Sequence, residues 1–170
     1  MALPVKDLGP CQVLYNNVDL GPTLGGVKFK ETLNSVDIKE DGHGVTPVDA
    51  IFTGRVVTVE ATFTRSSLAQ LESMIESSTA GADNLAVVNS VGNAMFANSQ
   101  QLILKPLVDN VASSDDTEWL YVHRAYPIAD AVLTYDNSSQ RVVKVTFKAF
   151  PDDASGQVGE IWRMGPISQS

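Results

Sequence analysis

The chain has 170 residues, 44% of them hydrophobic and 19% charged, and carries a net charge of −8. That size and composition fit one globular domain with a core that needs neither disulfides nor metals, and they exclude a disordered chain. The acidic balance, with no run of Lys and Arg, argues against tight binding of phosphates.

Residues 1–8 read as an N-terminal arm. Lys6 and Asp7 fall where a secretory leader needs an apolar core, and no run reaches the length of a membrane span, so synthesis in the cytosol is expected. Cys11 is the sole cysteine, so no intrachain disulfide can form. Opening a strand-like run, it reads as a small buried hydrophobe rather than a nucleophile. "CQVLYNNVDLG" predicts a strand, a turn at Asn16-Asn17 and a short return strand.

"GGVKFKETLNSVDIKED" predicts a long strand with a change of face. Val27 and Phe29 have odd parity, whereas Val36 and Ile38 have even parity. A bulge or bend is therefore expected near Leu33 to Ser35. Residues 39–54, "KEDGHGVTPVDAIFTG", read as a long loop. "RVVTVEATFTR" is a strand with Val57, Val59, Ala61 and Phe63 on one face and threonines on the other.

"SSLAQLESMIESS" supplies the one credible helix. Leu68, Leu71 and Ile75 form a stripe with Met74 beside it, and Ser67 with Gln70 fits a capping box. "STAGADN" then reads as loop, and "NLAVVNSVGNAMFAN" as a hairpin turning near Gly92-Asn93. "QQLILKPLV" is a strand that Pro106 restricts to an edge or an end. Residues 66–118 hold one basic and seven acidic side chains, which reads as a solvated face, and the polar run 109–118 as a loop. "WLYVHRAY" is a further strand. "DAVLTYDNSSQRVVKV" is a hairpin turning at Asp136 to Ser139, and it leads into a strand with Val143, Val145 and Phe147 on one face and Lys144 and Lys148 on the other. Residues 151–170 form a C-terminal segment with an aromatic island, "EIWRMG". The outline is a single mainly β domain, an antiparallel sandwich or partial barrel with one short α-helix.

No constellation for catalysis appears. There is no G-x-S-x-G, no Walker loop, and "LGGVKF" runs into a strand rather than a helix. Glu40, Asp41 and His43 share a glycine loop, where loop solvation is the simpler reading than a metal site or a hydrolase. His123 stands at strand spacing from Trp119 and Tyr121. That face reads as packing, with a carbohydrate-stacking platform as the alternative. Long alternating strands have edges that need covering, which suits a subunit paired with copies of itself in a ring.

Three segments carry a resemblance. "GPCQVLYNNVDLGPTLGGVKF", with Gly9, Leu14, Leu20, Gly21, Gly25, Gly26, Val27 and Phe29, resembles the opening of the tail tube (major tail) proteins of tailed bacteriophages. "GRVVTVEATFTRSSLAQLESMI" is similar to that family's long valine strand leading into a short helix. "VVKVTFKAFPDDASGQVGEIWRMG" is similar to its closing strand and Pro-Asp turn. The acidic segment 109–118 and residues 85–98 match none of its motifs.

The resemblance implies a virion protein without enzymatic activity or cofactor. Hexameric rings would stack into a hollow tube through which DNA passes without specific binding. Further partners would be the initiator complex at the baseplate or distal tail, a terminator, a tape measure inside the lumen and, in a contractile particle or related injection apparatus, a sheath. A loop reaching the adjacent ring would contain Asp41, Gly42, His43, Gly44, Val45 and Thr46. Gly21, Gly25 and Gly26 would form a hinge at the ring joint. An acidic wall would repel phosphates.

Overall fold

The computed structural model describes residues 9–64, 66–133, 138, 141–153 and 158–167. The protein is mainly β, with one α-helix and a large antiparallel sheet. The expected N-terminal arm 1–8 and most of the turn at 136–139 lie outside the described residues, as do 154–157 and 168–170 of the C-terminal segment.

The strands are β1 (Cys11–Tyr15), β2 (Val18–Asp19), β3 (Thr23–Lys39), β4 (Pro47–Thr64), β5 (Ser78–Ala80), β6 (Leu85–Val87), β7 (Gln100–Val108), β8 (Val111–Ala112), β9 (Leu120–Val132), β10 (Val142–Phe150) and β11 (Trp162–Met164), and the helix α1 is Leu68–Met74. The main sheet runs β2-β1-β7-β9-β10-β4-β3. β2 and β3 therefore stand at opposite edges of the sheet while being separated in sequence only by Leu20, Gly21 and Pro22. So short a connection forces the sheet to curl until its edges meet. On the β2 side the Gln70 side-chain amide donates to the Asp19 carbonyl (2.8 Å), and the Thr64 N–H, donating to the Pro22 carbonyl (2.9 Å), extends the β3–β4 ladder up to the link. Among the described residues no ladder joins β2 to β3, so the result is a partial barrel.

The inward face follows the period-two pattern. Val59, Ala61 and Phe63 of β4, Val143, Val145 and Phe147 of β10, and Val13, Leu102 and Val122 are buried in one cluster. The Tyr15 ring packs on Phe147 at 5.4 Å and its hydroxyl donates to the Ala125 carbonyl (3.1 Å), which satisfies the one polar atom it brings inside. α1 begins with the expected capping box, Ser67 and Gln70 bonding each other's backbone N–H groups. Its anchor in the core is Met74, fully buried, whereas Leu68, Leu71 and Ile75 are half-buried.

Several expectations change. The long loop over 39–54 is a connection over 40–46, because 47–54 continue β4 and pair with β3 as far as Lys39↔Pro47. Residues 78–80 and 85–87 pair as β5–β6, so that hairpin turns within "AGADN" and not at Gly92-Asn93. The polar segment 109–118 contains β8, paired with β7, and a single 3-10 turn at Asp116–Glu118. β7 is an inner strand, and Pro106 lies beyond its last pairing with β9 at Leu104↔Leu120. The proline thus sits within β7 but past the end of the β9 ladder, where its missing N–H leaves no rung of that ladder unmade.

β10 and β11 are one line interrupted by an excursion. β10 pairs with β9 down to Phe150↔Arg124, the His123 N–H donates to the Ile161 carbonyl, and β11 resumes at Trp162↔Val122. A bridge between Asp152 and Glu160 closes the excursion at its base.

Candidate functional site

The conspicuous surface is the distal part of the β3–β4 hairpin. β10 stops covering β4 at Lys148↔Thr58, and from Glu31↔Val57 to Lys39↔Pro47 the two strands have only each other. At about 3.3 Å per residue this arm projects roughly 30 Å. One face carries Thr32/Val56, Asn34/Gly54, Val36/Ile51 and Ile38/Asp49; the other carries Leu33/Arg55, Ser35/Phe52 and Asp37/Ala50. Leu33, Val36, Ile51 and Phe52 are each 53–60% exposed.

The bulge expected near Leu33 to Ser35 falls at Asn34/Ser35, but the extra residue is Thr53 on β4. The placement has a consequence. A bulge in β3 would have returned Val36 and Ile38 to the inward face shared by Val27 and Phe29. Because β3 keeps its alternation, Val36 and Ile38 point to the opposite side, away from the domain's own core. Val36 and Ile51 are thereby left exposed on a side that, among the described residues, no further strand covers.

At its base the arm meets the C-terminal segment. Phe29 packs edge-on against Trp162 (5.1 Å), and a cleft of about 560 Å³ opens between Phe52, Arg55, Pro151 and Trp162. Arg55 is held there by Glu31 (2.6 Å) and lies over the Phe52 ring.

The six tip residues stay together as a tight turn. Asp41–His43 form a 3-10 turn, Gly44 is left-handed (φ 63°) and Val45 is 87% exposed. His43 and Glu40 approach to 3.6 Å, both exposed, and among the described residues no three His, Cys, Asp or Glu converge on a point fit for a metal. The three glycines lie at the far end of β3. Gly21 sits in the link from β2 to β3, its N–H donating to the Asp19 carboxylate (2.9 Å). Gly25 and Gly26 (φ 80° and 84°) form a wide bulge between Thr23↔Phe63 and Val27↔Ala61. From there to the tip is about 40 Å of strand, so the two groups of residues do not form one site. No atom stands within 4 Å of where a Gly26 Cβ would be. Gly26→Ala should therefore lower stability by about 1 kcal/mol through the backbone alone, and Gly26→Asn by less, read from urea unfolding midpoints.

The Trp119, Tyr121 and His123 face offers no open stacking platform. Tyr121 and His123 are buried, and the Lys105 ammonium covers the Trp119 ring at 3.7 Å. His123 Nε2 meets Glu160 Oε1 at 2.9 Å, and Arg163 grips both oxygens of Glu160 at 2.6 and 2.7 Å. This cluster pins the base of the excursion onto β9. The Arg163 hydrogen bonds, ahead of those from His123, hold the Glu160 carboxyl below its ordinary range. A carboxylate with a lowered folded-state pKa stabilises fully above its unfolded pKa and ceases to do so as pH falls through the folded value. On acidification from pH 6 to pH 3 the urea midpoint of Glu160→Gln should therefore fall less than that of the wild type. Burial pushes the Cys11 thiol up to about 11, so it is protonated at neutral pH and a poor nucleophile.

The sequence reading missed a convergence of lysines. On the outward face of the sheet, register places Lys30, Thr58, Lys148 and Tyr126 in one row, Lys28, Glu60, Thr146 and Ile128 in the next, and Thr62, Lys144 and Asp130 in a third. Lys28 and Lys30 come from the N-terminal third, Lys144 and Lys148 from the C-terminal third. Only the β3-β4-β10 adjacency brings them together. Their even parity on two predicted strands was the available signal. No protein-family model matches the chain, and no curated protein matches its sequence.

Proposed function

We propose that this protein is a structural subunit of a bacteriophage tail tube, assembling as hexameric rings that stack into a hollow conduit for viral DNA. It performs no chemistry and uses no cofactor. The observation that carries the reading is the hairpin arm, about 30 Å long, apolar on a side that its own domain leaves bare. A lone soluble subunit gains nothing from such an arm and risks aggregation, whereas a ring of copies covers it. The free edge of β3 supports the same reading, since closing the sheet across copies removes it. The ring size, the virion setting and the other tail partners rest on the resemblance in the three segments quoted above.

Electron microscopy of the purified protein at high concentration tests this. Rings or tubes are expected, and a uniform population of monomers would overturn it. Replacing residues 41–46 by Asn-Gly should leave the fold and rings intact while shortening the stacks, if the tip reaches the next ring. Stacks of unchanged length would remove the tip from that role.

A further inference from the structure

The outward face of β3, β4, β10 and β9 is chemically unlike the rest of this acidic protein. Lys28, Lys30, Lys144 and Lys148 are all exposed there, against two carboxylates, Glu60 and Asp130. Arg55, Arg124 and Arg163 each have a carboxylate partner, whereas among the described residues none stands within 4 Å of these four lysines. The Lys148 ammonium stands 5.8 Å from the Phe150 ring. Thr58, Thr62 and Thr146 fill the spaces between with hydroxyls.

We infer that this face makes weak, sequence-independent contacts with the phosphate backbone of duplex DNA. The lattice suits that occupant. Lys30 and Lys148 flank Thr58 at two strand spacings, about 10 Å, and Lys144 and Lys148 stand about 13 Å apart along β10, a span that meets three or four phosphates of one strand. Ammonium and hydroxyl donors are the groups that phosphate oxygens accept from. A protein partner would want apolar or aromatic anchors at the centre of its footprint, and Ile128 at the margin is the one large exposed apolar side chain in these three rows. A single strand would want a run of open aromatic rings to stack on, whereas here Tyr126 is buried and Phe150 is half-buried with Phe96 edge-on against it. The excess of two positive charges over Glu60 and Asp130 keeps the contact weak.

The inference goes beyond the tube reading and does not depend on it, because one subunit carries the whole face. If both hold, the conduit wall touches its cargo lightly instead of repelling it throughout.

The test is fluorescence anisotropy of a labelled duplex of mixed sequence titrated with the full-length protein. Weak binding at low salt is expected, falling on the order of a hundredfold between about 50 and 200 mM salt, as release of about four counterions requires. The variant Lys28→Gln/Lys30→Gln/Lys144→Gln/Lys148→Gln, checked for an unchanged thermal midpoint, should lose at least about tenfold, while Lys39→Gln/Lys105→Gln should not change. Absence of binding at low salt, or equal binding by the four-lysine variant, overturns the inference. Tighter binding of a polyglutamate peptide than of the duplex would overturn it in favour of an acidic protein partner. Ring formation is scored separately by microscopy, so failure here leaves the tube reading standing, and the reverse.

Discussion

Val145→Pro is expected to yield no folded protein in the soluble fraction. Val145 is fully buried at the centre of β10, between Ala61 of β4 and Ala129 of β9. Proline removes the N–H of one rung, leaves a buried carbonyl unsatisfied and forces φ away from the extended value, together on the order of 4 kcal/mol. A domain of this size has about 5–15 kcal/mol in total, so the change removes from about a quarter to most of it, and in a strand paired on both sides the loss falls at the high end. Val145→Ala keeps the backbone and should cost only about 2 kcal/mol, giving a cooperative unfolding curve at a lower urea midpoint. A soluble proline variant with the wild-type midpoint would mean that β10 is not an inner strand.

The second large effect is on assembly alone. Val36→Asp combined with Ile51→Asp places two carboxylates opposite each other on the arm, where both parent side chains are more than half exposed. The isolated subunit should lose about 1–2 kcal/mol through the like-charge pair and the lost β-branched pair, and should stay folded because nothing in its own core is touched. On the proposal that copies pack through this face, assembly should fail, since each copy would bury two unpaired charges in place of apolar surface, at several kcal/mol per copy. Sedimentation velocity reads both outcomes, with circular dichroism as the check on folding. Rings of normal size from this variant would show that the arm's outward face is not an interface.

Much of the sheet was legible because alternation is a local property. The Asn16-Asn17 turn, with both residues left-handed, the capping box and the inward faces of β4 and β10 needed only neighbouring residues to be read. The expected long loop at 39–54 went wrong for a physical reason. Ile51 and Phe52 are adjacent apolar residues on opposite faces, and the Thr53 bulge between Phe52 and Gly54 then shifts the face of every later residue, so the stretch lacks the alternation that marks a strand. β5 was hidden because a three-residue strand of Ser, Thr and Ala has no apolar pattern to detect. The lysine face was hidden because strand order is a long-range fact. The arm lay between these cases. The parity change of Val36 and Ile38 was visible, but whether it meant a bulge in β3 or an apolar face aimed outward depended on which strand held the extra residue.

The strand order also sets when each pairing first becomes possible during synthesis. β3 and β4 are neighbours in sequence and can pair as soon as they emerge. β1 and β2 come out earlier still, yet β1's main partner is β7, with Cys11 opposite Pro106. β4 likewise waits for β10, whose Val142 pairs with Thr64. At common elongation rates the stretch from residue 64 to 150 takes on the order of ten seconds to appear. Throughout that interval the earliest formed structure is a hairpin with bare apolar faces and no sheet behind it. Asp37, Lys39 and Asp49, set among Val36, Ile38 and Ile51, are charges of the kind that flank apolar strands and oppose aggregation while a domain is half made.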